Sequence, residues 1–138
     1  MVDRYVVQAR IAKIREYVAL LRKIRGLTDE RRFVKDPLVY GNAERYLHLA
    51  IQAVLDVSHH IVADMNLSLP ATSQELFDVL AARKVLPKPL SKRLISMAGF
   101  RNVLVHEYLE IDRRRVWRVL NDELGDFEKF IRAVSKLL

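Results

Sequence analysis

The sequence predicts an all-α fold, an antiparallel up-and-down bundle of four to five helices. Three observations predict it. Apolar residues recur at three- and four-residue steps along nearly the whole chain, the period of a helix with one buried face. No segment alternates with period two. Only four glycines and four prolines interrupt 138 residues, so helices have few reasons to stop. Well over three quarters of the chain is expected to be helical, in a single domain spanning residues 1–138. Two domains cut from this length would each be too small to bury a good core.

The elements follow in order. Val7, Ile11, Ile14, Val18 and Leu21 mark the inner face of a first helix that stops at Gly26. A short helix is expected over residues 29–34. Asp36 can cap free N–H groups, and Pro37 suits a first helical position. The helix they open carries Leu47, Ile51, Val54, Ser58, Ile61 and Met65 on one face and can run to Asn66. At 1.5 Å per residue it would be roughly 44 Å long. Such a helix must pack along its length or reach past its own domain to a partner. Residues 67–72 form a loop with Pro70, and Thr72 with Glu75 has the spacing of a capping box. A helix from Ser73 to about Lys84 follows, then a break at Pro87 and Pro89. Another long helix runs from about Lys88 towards His106. Asp112 can cap a last helix reaching the C-terminus, with Val116, Leu120, Phe127, Ile131, Val134 and Leu138 inward.

Composition excludes several classes. With 51% hydrophobic and 30% charged residues, the chain is not disordered, collagenous or mucin-like. It has no cysteine, which removes disulfide frameworks, cysteine-based zinc sites and cysteine nucleophiles and fits a cytoplasmic protein. The longest stretches without charge are residues 46–55 and 65–74, about half of what a membrane-spanning helix needs. Residues 1–36 carry a net charge of +5 and residues 83–118 one of +7, whereas 37–82 carry −4 and 119–138 carry −1. Such basic blocks are either polyanion-binding surfaces, nucleic acid being the commonest partner, or solvated faces.

The four histidines differ in context. His48 lies in an apolar stretch and reads as a packed or partly exposed residue. Asp56, His60 and Asp64 share a helix face at i, i+4, i+8, residue types able to bind metal. A single histidine with no second cluster favours packing or hydrogen bonding, so no metal site is assigned. His106 lies in the segment Arg101-Asn102-Val103-Leu104-Val105-His106-Glu107-Tyr108, in which three apolar residues are expected to face the core. Asn102 and His106 are i, i+4 neighbours. Arg101 is about 140° round an ideal helix from His106. A long arginine could bend round to it, or two copies of the segment could share a site across a dimer. Arg and His also simply suit the negative end of a helix dipole.

This segment resembles the mark of the HEPN superfamily (higher eukaryote and prokaryote nucleotide-binding), in particular its HepT-like toxins: arginine, a polar residue, a short spacer, then histidine. Arg101, Asn102 and His106 match it, and Tyr108 matches the tyrosine that HepT-like members carry two residues later. Glu44-Arg45-Tyr46-Leu47 and Leu55-Asp56-Val57-Ser58-His59-His60-Ile61 are similar to a second family stretch. The resemblance covers most of the chain and its helical outline. It implies a homodimeric, metal-independent ribonuclease toxin with no cofactor, whose two motifs meet in one cleft. It also implies a partner, a nucleotidyltransferase antitoxin of the MntA kind that silences the toxin by adding AMP to the motif tyrosine, here Tyr108.

On that reading RNA supplies its own nucleophile, the 2′-OH. His106 would act as general acid or base. Arg101 would grip the phosphate and stabilise transition-state charge. Asn102 would orient His106 or donate to a phosphate oxygen, and a 2′,3′-cyclic phosphate end is expected. Arg113, Arg114 and Arg115 are candidates for substrate-backbone binding, or else a solvated helix start. The main alternative is a non-catalytic nucleotide-binding or helical partner subunit of a nucleotidyltransferase. A purely structural bundle, dimerising through the long helix, is a third.

Overall fold

In the computed structural model, which describes residues 3–106 and 111–138, the chain forms α1 (Arg4–Leu27), α2 (Glu30–Phe33), α3 (Pro37–Asp64), α4 (Ser73–Ala82), α5 (Lys88–His106), α6 (Arg113–Asp122) and α7 (Gly125–Ser135). Helix makes up 80% of the described residues, and no strand occurs among them. None of these helices is long and apolar enough to cross a membrane.

Local chemistry sets most boundaries. Asp3 caps α1 by accepting from the Tyr5 and Val6 N–H groups. The helix buries Val7, Ile11, Ile14, Val18 and Leu21, the five residues its periodicity marks. Asp36 caps α3 by accepting from the Leu38 N–H at 3.0 Å, with Pro37 opening the helix. That helix ends where Asn66 turns to φ 57°, a left-handed conformation that asparagine tolerates. At α4 the Thr72 hydroxyl accepts from the Glu75 N–H at 3.1 Å, while the Glu75 carboxylate accepts from the Ala71 N–H at 2.9 Å. Its far end is a Schellman turn: Lys84 sits at φ 59°, and its N–H and that of Val85 donate to the Ala81 and Leu80 carbonyls.

The C-terminal stretch differs from expectation, being two helices instead of one. The chain tightens into three-residue turns in which the Asp126 and Phe127 N–H groups donate to the Glu123 and Leu124 carbonyls. Gly125 sits at this break, and the redirected α7 buries Phe127, Phe130, Ile131 and Val134 together. It also brings the buried Asp126 carboxylate within 2.9 Å of Arg93 Nε on α5.

The long α3 is the axis. Arg10 of α1 meets Asp56, and Tyr17 stacks on Tyr46 with ring centroids 6.3 Å apart. Numbers rise along one helix as they fall along the other, so α1 and α3 are antiparallel. Helices α4, α5, α6 and α2 also pack on α3, which answers how so long a helix is covered. The Ser91 hydroxyl of α5 donates to the Phe77 carbonyl of α4 at 3.0 Å. Arg25 of α1 reaches the Leu120 carbonyl of α6, and Arg22 pairs with Glu128 of α7.

Phe33, fully buried, is the anchor of the short α2, with its ring 5.2 Å from that of Trp117 on α6. Replacing a buried phenylalanine by alanine costs about 3–5 kcal/mol. Phe33→Ala is therefore expected to lower stability in urea unfolding by that amount. A loss below about 1 kcal/mol would mean that the α2–α6 contact is not part of the core.

Candidate active site

The site is set by which face of α5 goes inward. Leu90, Leu94, Met97, Ala98, Phe100 and Leu104 are buried, and this leaves Arg101 half-buried and Asn102 and His106 exposed. Of the three apolar residues between them, only Leu104 is buried, and Val103 and Val105 are half-exposed. The reason is geometric: three consecutive helical residues span about 200° and cannot all face one core. Arg101 and His106 leave α5 in different directions, and no hydrogen bond joins them among the described residues.

The Arg101 Nη1 donates to Asn102 Oδ1 at 3.4 Å, a long bond, while its Nε is buried without a partner. His48 comes to the same region from α3. Its Nδ1 is also buried and unpartnered. Burial, then the Arg101 and Arg45 guanidinium groups, push its pKa below the ordinary 6.5, so at neutral pH it is an uncharged ring able to accept a hydrogen bond. From sequence His48 reads as a packed or partly exposed residue, and it is half-buried. Its placement beside Arg101 was not legible along the chain, because that arginine comes from another helix.

The three consecutive arginines diverge. Arg113 is held inside the fold: Nε lies 3.4 Å from Glu44 Oε1, Nη1 donates to the Ile111 carbonyl at 3.2 Å, and the guanidinium lies 4.4 Å over the Tyr40 ring. Burial raises the Glu44 pKa, and Arg113 opposes the rise. Arg114 is exposed, and Arg115 lies 4.5 Å over the Phe100 ring of α5 with its side chain otherwise in solvent. Tyr108 lies outside the described residues. On α3, Asp56 is engaged by Gln52 at 2.8 Å and by Arg10 at 3.9 Å, and His60 lies 4.0 Å from Asp64. No group of three metal-ligating side chains gathers among the described residues.

What this arrangement offers chemically is a half-buried arginine beside an exposed amide and an exposed imidazole on the last turns of one helix, free of acidic neighbours on that helix among the described residues. Residues 14–134 match the family described as "Ribonuclease HepT-like". Over 126 residues the chain is 30% identical to the mRNA nuclease HepT of Shewanella oneidensis, covering 91% of this chain and 93% of that one. It is 27% identical over 139 residues to the tRNA nuclease HepT of Aphanizomenon flos-aquae, covering 99% of this chain and 92% of that one. The solved structure of the tri-AMPylated Shewanella oneidensis HEPN toxin in complex with MNT antitoxin superposes with a TM-score of 0.89 at 28% identity, over 97% of this chain and 99% of that chain.

The His48 environment makes a prediction with a defined sign. Its folded pKa lies below the unfolded value of 6.5, so below 6.5 the unfolded chain binds more protons. Stability from this residue is therefore present near neutral pH and lost as pH falls through that window. Ring NMR titration should place His48 below 6.5, and Arg101→Gln should lift it part of the way back. A His48 that titrates at or above 6.5, or ignores Arg101→Gln, contradicts the assignment.

Proposed function

The chain belongs to the HepT-like ribonuclease family, and from that premise we propose that it is a ribonuclease toxin that cleaves RNA without a metal. The observation that carries this reading is the placement of Arg101, Asn102 and His106 on the solvent-facing end of α5. His106 moves a proton to or from the 2′-OH and the leaving oxygen. Arg101 binds the scissile phosphate and holds its growing charge, as a fixed guanidinium does well. Asn102, already within reach of Arg101, orients these groups or donates to a phosphate oxygen. The product is a 2′,3′-cyclic phosphate end.

The active form is a homodimer. Arg101 and His106 point about 140° apart on α5, so one copy does not aim both at one phosphate, whereas two facing copies of the helix supply both to one cleft. The half-exposed Val103 and Val105 lie between them, in keeping with a covered surface there. The wider substrate backbone is met by Arg114 and Arg115, whereas Arg113 serves the scaffold through Glu44 and Tyr40.

The activity belongs to the cytoplasm and is held in check by a nucleotidyltransferase antitoxin. Support comes from the similar Shewanella toxin, solved in a tri-AMPylated form with its MNT antitoxin. The acceptor here is Tyr108. A bulky anion two residues from His106 would occupy the phosphate site and repel RNA.

Protein made without any antitoxin should cut cellular RNA in excess EDTA. His106→Ala should cut about 10²–10⁴-fold more slowly, the usual worth of a general acid or base. Equal cleavage by both proteins would expose a contaminating nuclease. No cleavage by a chain whose mass shows an unmodified Tyr108 would favour a nucleotide-binding role. An antitoxin that still adds AMP to Tyr108→Phe would remove Tyr108 as acceptor.

A further inference from the structure

At the other end of α5 lies a cleft of about 740 Å³ between the α4–α5 connection and α7. Six cations surround it: Lys84, Lys88, Arg93, Lys129, Arg132 and Lys136. No acidic residue lines it. Arg93 is paired with Asp126, and the other five cations have no ion-pair partner among the described residues. Lys129 and Arg132 on α7 and Lys136, its C-cap, fall at i, i+3, i+7 and so share one face. The acids of the same helix turn elsewhere, Asp126 into the core and Glu128 to Arg22 on α1. This is why the C-terminal half of the cluster is hidden in a charge count: residues 119–138 have a net charge of −1, yet this end of the chain presents a basic face to the cleft. Pro87, Pro89 and Leu137 add exposed apolar surface to its lining, and the positive end of the α5 dipole lies beside it.

We propose that this cleft is a second RNA-binding site, gripping the phosphodiester backbone of the substrate away from the point of cleavage. The proposal rests on the ribonuclease reading for its choice of polyanion. Five unpaired cations round one concavity repel one another, and a run of phosphates relieves that repulsion while releasing counterions. The exposed prolines and Leu137 give an unstacked base an apolar surface to lie on, which favours single strands. Lys88 begins α5 and His106 ends it, so the cleft is about 27 Å along the helix from the motif. At that distance it contributes binding and takes no part in the chemistry, so its loss raises KM for long RNA and leaves kcat and the cleavage of dinucleotides unchanged.

The test measures RNA binding with cleavage switched off. In the full-length His106→Ala chain, Lys129, Arg132 and Lys136 are changed together to glutamine, and affinity for a labelled single-stranded RNA is followed against salt. All three positions are exposed, and an unchanged melting temperature verifies the fold. The slope of log K against log salt should flatten by about 2, at 0.7 per phosphate contact, and affinity near 0.1 M salt should fall at least about tenfold. Lys84→Gln with Lys88→Gln, on the opposite wall, should flatten the slope by about 1.4, and decides the matter if the triple variant does not fold. No RNA binding by the parent chain, or a slope untouched by either set, overturns the proposal. The two readings fail separately. Variant-sensitive binding by a wild type that cuts nothing keeps the cleft and removes the ribonuclease, and cleavage with insensitive binding does the reverse.

Discussion

A helix that commits one face to a core thereby decides where every other residue on it points. For α5 the commitment is to Leu90, Leu94, Met97, Phe100 and Leu104, and the rest of the molecule can be arranged around that choice. Ser91 is drawn to the Phe77 carbonyl and Arg93 to the buried Asp126. At the far end Arg101 is left half-buried while Asn102 and His106 face solvent. The same rotation that puts Leu104 inward sends Arg101 and His106 apart. On the proposed mechanism, a site that needs both side chains would draw them from two copies of the helix, which ties the packing of a monomer to the quaternary requirement of the chemistry.

Charge is then sorted by surroundings more than by sequence position. Arg113, Arg114 and Arg115 are consecutive, yet the first is folded against Glu44 and Tyr40, the second is exposed and the third lies over Phe100. Near Arg101 the nearby imidazole is kept uncharged by burial and by two arginines. A neutral His48 leaves the positive charge there to guanidinium groups, which suits the capture of a phosphate. At the opposite end of α5 the sorting goes further, because α7 sends its acids to the core and to α1 and its cations to one cleft.

Much of the fold was legible because helices obey local rules. The inner face of α1, the Asp36 cap with Pro37, and the Thr72–Glu75 capping pair all follow from a few neighbouring residues. The break before Gly125 was not, since an unbroken helix from Asp112 satisfies the same period, and only the packing of Phe127 and Phe130 and the pull of Arg93 on Asp126 favour redirecting the chain. The motif residues Arg101, Asn102 and His106 could be named from their order. The involvement of His48, the inward turn of Arg113 and the basic cleft could not. Each depends on a residue from a different helix, and such pairings lie outside what spacing along one chain can express.

On the proposed mechanism, Arg101 of one copy works with His106 of another. Arg101→Ala and His106→Ala chains, each inactive alone, can be unfolded together, refolded as a mixture and assayed on RNA, with the mixed dimer counted by native mass spectrometry. Activity should return in proportion to the mixed dimer, because only that species joins an intact Arg101 to an intact His106 across the interface. Mixed dimers that form and stay inactive would contradict it, and would place both groups of each working site within a single chain.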